Sequence, residues 1–338
     1  MPNLEDIRRS GSAFQCSAMI PSVTNVNNAS IVTARFPADH GITGNYYFDR
    51  ITKSASFMST PDFLTCDTLL DEASRRNLRT AFLTAKEKLR LLLGARASIS
   101  FSVEKPLPRL VEELGKPPNI YSLESSIWLL DAMLWIIDTQ RPAITYVATT
   151  DFVPHMFSPQ SEEAKEYMEK VDERLGSLIK KNLLIGIVSD HGMNDKSVKI
   201  DLEKILAEKN IESDMIAVIK DEYVRHHGNL GGAAYLYMER NLDEARRTLL
   251  DVKGVEVVLT ATEAKEKYRL PPERIGDLLV LGDARTVFGK VERGVSEDVR
   301  IRSHGSLHEQ IVPLILNRKT DLRGDLFNKD VFACLAGA

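Results

Sequence analysis

The sequence is short of cysteine, has no run of basic residues and holds no long apolar stretch, and each absence closes off a class of protein. Cys16, Cys66 and Cys334 are odd in number and far apart, without the paired spacing of a zinc knuckle or a disulfide framework. A reducing, cytoplasmic setting is therefore expected. Lys and Arg total 44 against 48 Asp and Glu, for a formal net charge of −4, and nothing along the chain would track a nucleic-acid backbone. No segment stays apolar long enough to span a bilayer, and Met1–Arg9 lacks a basic stretch followed by an apolar one, so neither nucleic acid nor membrane is an expected partner. There is no internal repeat and no low-complexity segment.

What is present is an alternation of short apolar runs with longer helical patterns over 338 residues, the mark of βαβ units and a largely parallel sheet. Residues 79–84 read as a strand, followed by a helix that begins near Lys86. In residues 122–140, Ile127, Leu130, Leu134 and Ile137 line one helical face, and Pro142 stops the helix. A β-rich run over 143–150 leads to Asp151. Residues 161–181 repeat the helical spacing with Tyr167, Val171, Leu175 and Leu178, and a strand over 183–189 ends at Asp190. Both aspartates thus stand where a strand ends, which is where ligands gather in open α/β sheets.

From 196 to 298 the texture changes to charged helical segments and short strands such as 233–238 and 277–281, which read as an inserted α+β cap. Residues 1–195 and 299–338 are then the core, with 311–316 as a further strand.

The most specific constellation is Asp151 with His155, Asp190 with His191, and His304. Mixed carboxylate and imidazole donors suit zinc, which in a catalytic site keeps one coordination position open. Taken singly, each Asp also reads as a turn or cap and each His as packing, but turn chemistry gives no reason for a His directly after a strand-end Asp. A second cluster is Pro21–Asn28. A divalent cation would make the Thr24 hydroxyl a competent nucleophile, and neighbouring amides, Asn27 among them, would hold a phosphoryl oxygen. The same residues also read as a helix start, and the two readings are compatible, since a helix amino terminus favours an anion.

These motifs, together with Pro37–Ile42 and Ser303–Gly305, resemble the alkaline phosphatase superfamily in its nucleotide pyrophosphatase and phosphodiesterase branch. Within it, segments 21–33, 40–47, 84–89 and 302–305 are most similar to the phosphonoacetate hydrolases, and the motifs run from residue 21 to 316 in the family's order. The resemblance implies an alkaline-phosphatase-like three-layer α/β core and hydrolysis of the carbon–phosphorus bond of phosphonoacetate to acetate and phosphate. It further implies one zinc on Asp151, His155 and His304 and another on Asp190, His191 and Thr24, with Thr24 as nucleophile. Asn45 would donate to a phosphonate oxygen, and Lys86 and Lys88 match carboxylate-binding lysines. A bland account of these lysines is a solvated helix start, although cations there oppose the helix dipole. Arg225 and His227 would close over the same carboxylate, while His40, His226 and His308 are assigned to structure. The partner is then a small phosphonate, and a homodimer is compatible with the sequence.

The family's pattern opens with a strand ending in Asp-Gly, whose Asp binds the second metal, and this first core strand is missing here. A start upstream of Met1 is the expected reason, because every other site residue remains. A relative with weakened or lost catalysis is the competing account, and a phosphodiesterase or nucleotide pyrophosphatase is the alternative enzyme.

Overall fold

A computed structural model of the protein describes residues 1–220 and 228–336. Its best-covered sheet is built on β4 (Thr80–Thr84), which runs parallel to β5 (Ile99–Ser102) on one side and β6 (Ile144–Ala148) on the other. Every residue of β4 is buried, because alternate side chains enter different cores. Phe82 packs with Leu89, Leu92 and Leu93 of the Glu87–Leu93 helix. Ala81 and Leu83 face Leu129, Ala132, Met133 and Ile136 of the Leu123–Gln140 helix. Those four residues, rather than Leu134 and Ile137, are the deepest part of that helix, so its inner face is rotated from the one its spacing suggested. The helix stops with Arg141 in the left-handed conformation, just before Pro142.

A second three-stranded sheet has the order β1 (Ser12–Ser17), β15 (Ile311–Leu316), β7 (Gly186–Val188), with both pairings antiparallel. The sequence suggested a mostly parallel core, and the structure corrects this to mixed sheets. An apolar run reports burial on two faces, not the direction of the neighbouring strand, so β15 was foreseen as a strand but its orientation was not. β1 was not foreseen at all, because Ser12–Ser17 alternates weakly and two of its residues are serine.

The stretch after β7 forms two further sheets. One, in the order β13 (Thr286–Phe288), β8 (Asn194–Ile200), β14 (Ser296–Ser303), pairs the two ends of the segment expected as a cap. The other, β11 (Val255–Thr260), β12 (Leu278–Gly282), β10 (Ala233–Tyr237), β9 (Asp214–Ala217), is antiparallel throughout. One face of this sheet has a core of its own, with Leu236, Val280 and Phe288, while on the other face Val218, Tyr235, Leu279 and Leu281 share one apolar cluster with Met19, Val26 and Phe82. A hairpin of β2 (Tyr46–Asp49) and β3 (Ser54–Phe57) completes the sheets. Among the described residues no helix is long and apolar enough to cross a membrane.

His40 shows how tightly the Thr24–Thr33 helix is held. It is fully buried, its Nδ1 accepts from the Ile42 amide at 3.1 Å, and its Nε2 faces the Ser30 hydroxyl at 2.8 Å. Burial pushes its pKa down from 6.5 to about 3. The unfolded chain takes up this proton below about pH 6.5 while the folded protein refuses it, so stability is complete above that pH and falls as the pH drops towards 3. Between pH 7 and pH 5 the loss from this residue should be about 2 kcal/mol. Urea unfolding at both pH values should show a loss smaller by that amount in His40→Asn than in the parent; equal losses would contradict the assignment.

Candidate metal centre and its pocket

Strand ends deliver most of the expected site. Asp151 follows β6 and opens the Phe152–Met156 helix without capping it through its side chain. One helical turn brings His155 back over it, with Nε2 3.2 Å from Asp151 Oδ2. His304 follows β14 and places its Nε2 3.8 Å from the same oxygen. The ligand atoms of Asp151, His155 and His304 all lie within 4.8 Å of one another.

A second group adjoins the first. Asp190 follows β7, His191 Nε2 lies 3.5 Å from Asp190 Oδ2, and the Thr24 hydroxyl stands 3.3 Å from His191 Nε2. The rings of His191 and His304 stack at 3.5 Å between centroids and link the two groups. Thr24 is the first residue of its helix rather than the cap, which is Val23, and it makes no capping bond. Its hydroxyl is therefore directed at the pocket instead of at the helix end.

The three imidazoles share one orientation. His155 Nδ1 donates to the Arg302 carbonyl at 2.7 Å, His304 Nδ1 to the Ser22 carbonyl at 2.7 Å, and His191 Nδ1 to the Gly192 carbonyl at 2.9 Å. A carbonyl only accepts, so each ring carries a proton on Nδ1 and turns its Nε2 inward. Burial, reinforced by the neighbouring His191 and His155, lowers the His304 pKa well below the usual range and keeps that ring neutral. Imidazoles fixed through the distal nitrogen are the usual support of a metal, which would lie between the Nε2 atoms and the carboxylates. The residues present thus fit a divalent metal, and an oxygen and nitrogen donor set of this kind suits zinc.

Neighbouring residues hold the carboxylates. Tyr146 donates to Asn28 Oδ1 at 2.6 Å, which turns the Asn28 amide so that Nδ2 donates to Asp190 Oδ2 at 3.1 Å and to the Thr24 carbonyl at 2.9 Å. Burial raises the Tyr146 pKa and keeps its hydroxyl a donor. Asn27, expected to touch substrate, does not line the pocket. It is wholly buried, accepts from the Met19 amide at 2.6 Å and from Asn328 Nδ2 at 2.8 Å, and donates to the Val23 carbonyl at 3.1 Å. Adjacent helical residues point about 100° apart, so only one of the two asparagines reaches the site.

The cavity beside these groups measures about 300 Å³ and is lined by Thr24, Asn45, Lys86 and Lys88 as well as Asp151 and Asp190. Asn45 Oδ1 is buried without a hydrogen-bond partner among the described residues. Lys86 Nζ lies 3.4 Å from Asp151 Oδ1, and Lys88 Nζ sits 4.2 Å above the Phe57 ring. Arg225 and His227 lie outside the described residues, as does His226. His308 pairs with Glu256 away from the metal groups, as a structural residue would.

One buried ion pair ties the histidine loops together. Glu309 Oε1 accepts from Lys196 Nζ at 2.8 Å and from Asn194 Nδ2 at 2.8 Å, its Oε2 accepts from the Ser306 amide at 3.0 Å, and its carbonyl accepts from the Gly192 amide at 2.7 Å. The loop after His191 and the turn after His304 are thereby held by one residue. Sequence reading missed Glu309 and Lys196, because nothing local marks a buried charge whose partner is over a hundred residues away; Asn28 stood in the Pro21–Asn28 cluster, but the role was given to Asn27.

Residues 1–307 match the family model described as type I phosphodiesterase / nucleotide pyrophosphatase. Phosphonoacetate hydrolase from Sinorhizobium meliloti 1021, solved in complexes with phosphonoformate and with phosphonoacetate, superimposes with a TM-score of 0.92 at 34% identity over 99% of this chain and 89% of that one. Human ectonucleotide pyrophosphatase/phosphodiesterase 5 shares the fold, with a TM-score of 0.68 at 17% identity over 99% of this chain and 88% of that one. A Caenorhabditis elegans ectonucleotide pyrophosphatase/phosphodiesterase is 26% identical over 82% of this chain and 35% of its own length. The chain spans about a third of the length of the curated relatives it matches.

Removing the Glu309 carboxylate would leave Lys196 charged and unpaired in the interior, at a cost of about 3–5 kcal/mol. Glu309→Ala should show that loss in urea unfolding; a change under about 1 kcal/mol would mean the pair carries little of the local structure.

Proposed function

We propose that this chain, which belongs to the type I phosphodiesterase/nucleotide pyrophosphatase family within the alkaline phosphatase superfamily, hydrolyses phosphonoacetate to acetate and phosphate, with zinc as cofactor. The observation that carries the proposal is the Thr24 hydroxyl 3.3 Å from His191 Nε2, in one cavity with Lys86 and Lys88. The 34% identity to the Sinorhizobium enzyme over 89% of its length supports the substrate.

Asp151, His155 and His304 would hold one zinc, and Asp190, His191 and Thr24 the other. When bound, the metals supply Lewis acidity to the phosphonate oxygens and lower the pKa of the threonine hydroxyl. Thr24 Oγ1 attacks phosphorus and its proton leaves to water. The carbon–phosphorus bond breaks with its electron pair passing to the methylene carbon and into the carboxylate as an enediolate, which water protonates to acetate. A second water then attacks phosphorus, releases phosphate and restores the Thr24 hydroxyl. Lys86 and Lys88 stabilise the enediolate, where charge develops only as the bond breaks, so their effect falls on the transition state. Asn45 orients a phosphonate oxygen.

The nematode relative favours a second reading, a phosphodiesterase or nucleotide pyrophosphatase, in which the two lysines have no carboxylate to bind. A catalytically impaired metal-binding homologue is a third, prompted by the second group's single carboxylate, Asp190. The strand ending in Asp-Gly expected from the resemblance is not among the described residues.

Thr24→Val should abolish phosphate release from phosphonoacetate while metal analysis still finds most of the about two zinc per chain that a catalytic pair requires. An unchanged rate excludes Thr24 as nucleophile, and a parent protein holding one metal or none favours the impaired homologue. Lys86→Ala combined with Lys88→Ala should lower kcat/KM for phosphonoacetate by about a hundredfold or more, the worth of two charge-assisted contacts, and spare an aryl phosphate. Equal losses on both substrates would favour the phosphodiesterase reading.

A further inference from the structure

The second metal group is assembled from segments far apart in sequence: Thr24 opens its helix, and Asp190 stands past the end of β7. The distance between them is fixed by what ties the loop before Thr24 to the loop after β7. One tie is Asn28, which reaches both the Thr24 carbonyl and the Asp190 carboxylate. Another is formed by Asn27 and Asn328, both fully buried. Asn27 Oδ1 accepts from the Met19 amide at 2.6 Å and its Nδ2 donates to the Val23 carbonyl at 3.1 Å, so this side chain shapes the turn that leads from β1 into Thr24. Asn328 Nδ2 donates to Asn27 Oδ1 at 2.8 Å and to the Asp190 carbonyl at 3.3 Å. One amide group thus spans the gap between the entry to the Thr24 helix and the backbone of Asp190.

Asn328 is itself held in place. It opens the 3-10 turn Asn328–Asp330, in which the Phe327 amide donates to the Asp330 carboxylate at 2.9 Å. The residues on either side of it both meet Phe36: the Phe327 ring edge on, at 5.2 Å between centroids, and Lys329 Nζ at 4.6 Å from the ring centre. Phe36 lies just past the far end of the Thr24–Thr33 helix, so the turn is seated along that helix at both ends. Packing alone does not call for asparagine at 328. Its Oδ1 is buried without a hydrogen-bond partner among the described residues, a loss that an apolar side chain of similar size avoids. What the amide adds is its pair of donors on Nδ2.

We propose that Asn328 is a positioning residue for the second metal group: by tying the Asp190 backbone to Asn27 it sets the distance between the Asp190 carboxylate and the Thr24 hydroxyl, and with it the affinity for the metal that these groups share with His191. This deepens, and rests on, the two-metal reading above. Residues that orient a ligand without touching the metal change its affinity by about 10- to 100-fold when they are lost. Both side-chain donors of Asn328 are used within this tie, which confines its direct effect to the second group.

The test equilibrates the zinc-loaded protein with buffered free zinc over a graded range and counts bound metal, with cobalt in place of zinc as a spectroscopic report on each site. The parent should hold about two metals per chain. Asn328→Leu should weaken one of them about tenfold or more and leave the other within about twofold, and the cobalt band that changes should be the one lost in Asp190→Asn. Asn328→Ser, which keeps one donor, should fall between the two. A parent that holds fewer than two metals overturns the two-metal reading and the proposal together. With two metals in the parent, unchanged affinities in Asn328→Leu, or equal losses at both sites, overturn the Asn328 assignment alone. Should Asn328→Leu fail to fold, Asn328→Ser decides by the same outcomes.

Discussion

Everything at this site follows from three imidazoles that give their Nδ1 protons to backbone carbonyls. Once His155, His191 and His304 are fixed in that way, three Nε2 atoms point at the oxygens of Asp151 and Asp190 from a few ångströms away. A cation between them would complete the arrangement, and the fold can offer it only if the backbone that supplies the carbonyls is rigid. The burial that keeps His304 neutral acts to the same end, since a protonated ring would turn a donor towards the centre and could not bind a metal.

The rigidity comes from several sources. Gly305, directly after His304, has φ of +121°, and a Cβ there would meet the Gly232 nitrogen at 3.0 Å, so the turn that exchanges hydrogen bonds with Ser22 needs glycine. Glu309 holds that turn to the loop carrying His191, and the Tyr146 and Asn28 pair orients Asp190. All of these contacts join stretches far apart in sequence. They work because the core and the segment after β7 share one apolar cluster, so neither half of the site moves independently of the other.

The carboxylate and imidazole groups and the lysines of the cavity come from different parts of the fold. The carboxylates and imidazoles stand at strand ends and at the first turn of short helices, the arrangement to be expected of any member of this family. The lysines stand on the surrounding wall: Lys86 and Lys88 at the start of a helix after β4, Lys220 past β9, with an aromatic hairpin beneath two of them.

Much of this was visible in the linear sequence, for physical reasons. Asp151 and Asp190 follow runs whose apolar character identifies strands, and the four-residue spacing of Asp151 and His155 is one helical turn, so local pattern was enough to foresee that pair meeting; His304 follows Ser296–Ser303, a charged stretch whose strand was not foreseen. Local pattern could not choose between Asn27 and Asn28, because the choice depends on which face of the helix meets β6 and β7. Nor could it give the antiparallel direction of β15, the buried pairing of Lys196 with Glu309, or the seat of Lys220 on Tyr46. Those are decided by long-range packing, where a residue's partner is set by how layers close over one another and not by its neighbours in the chain.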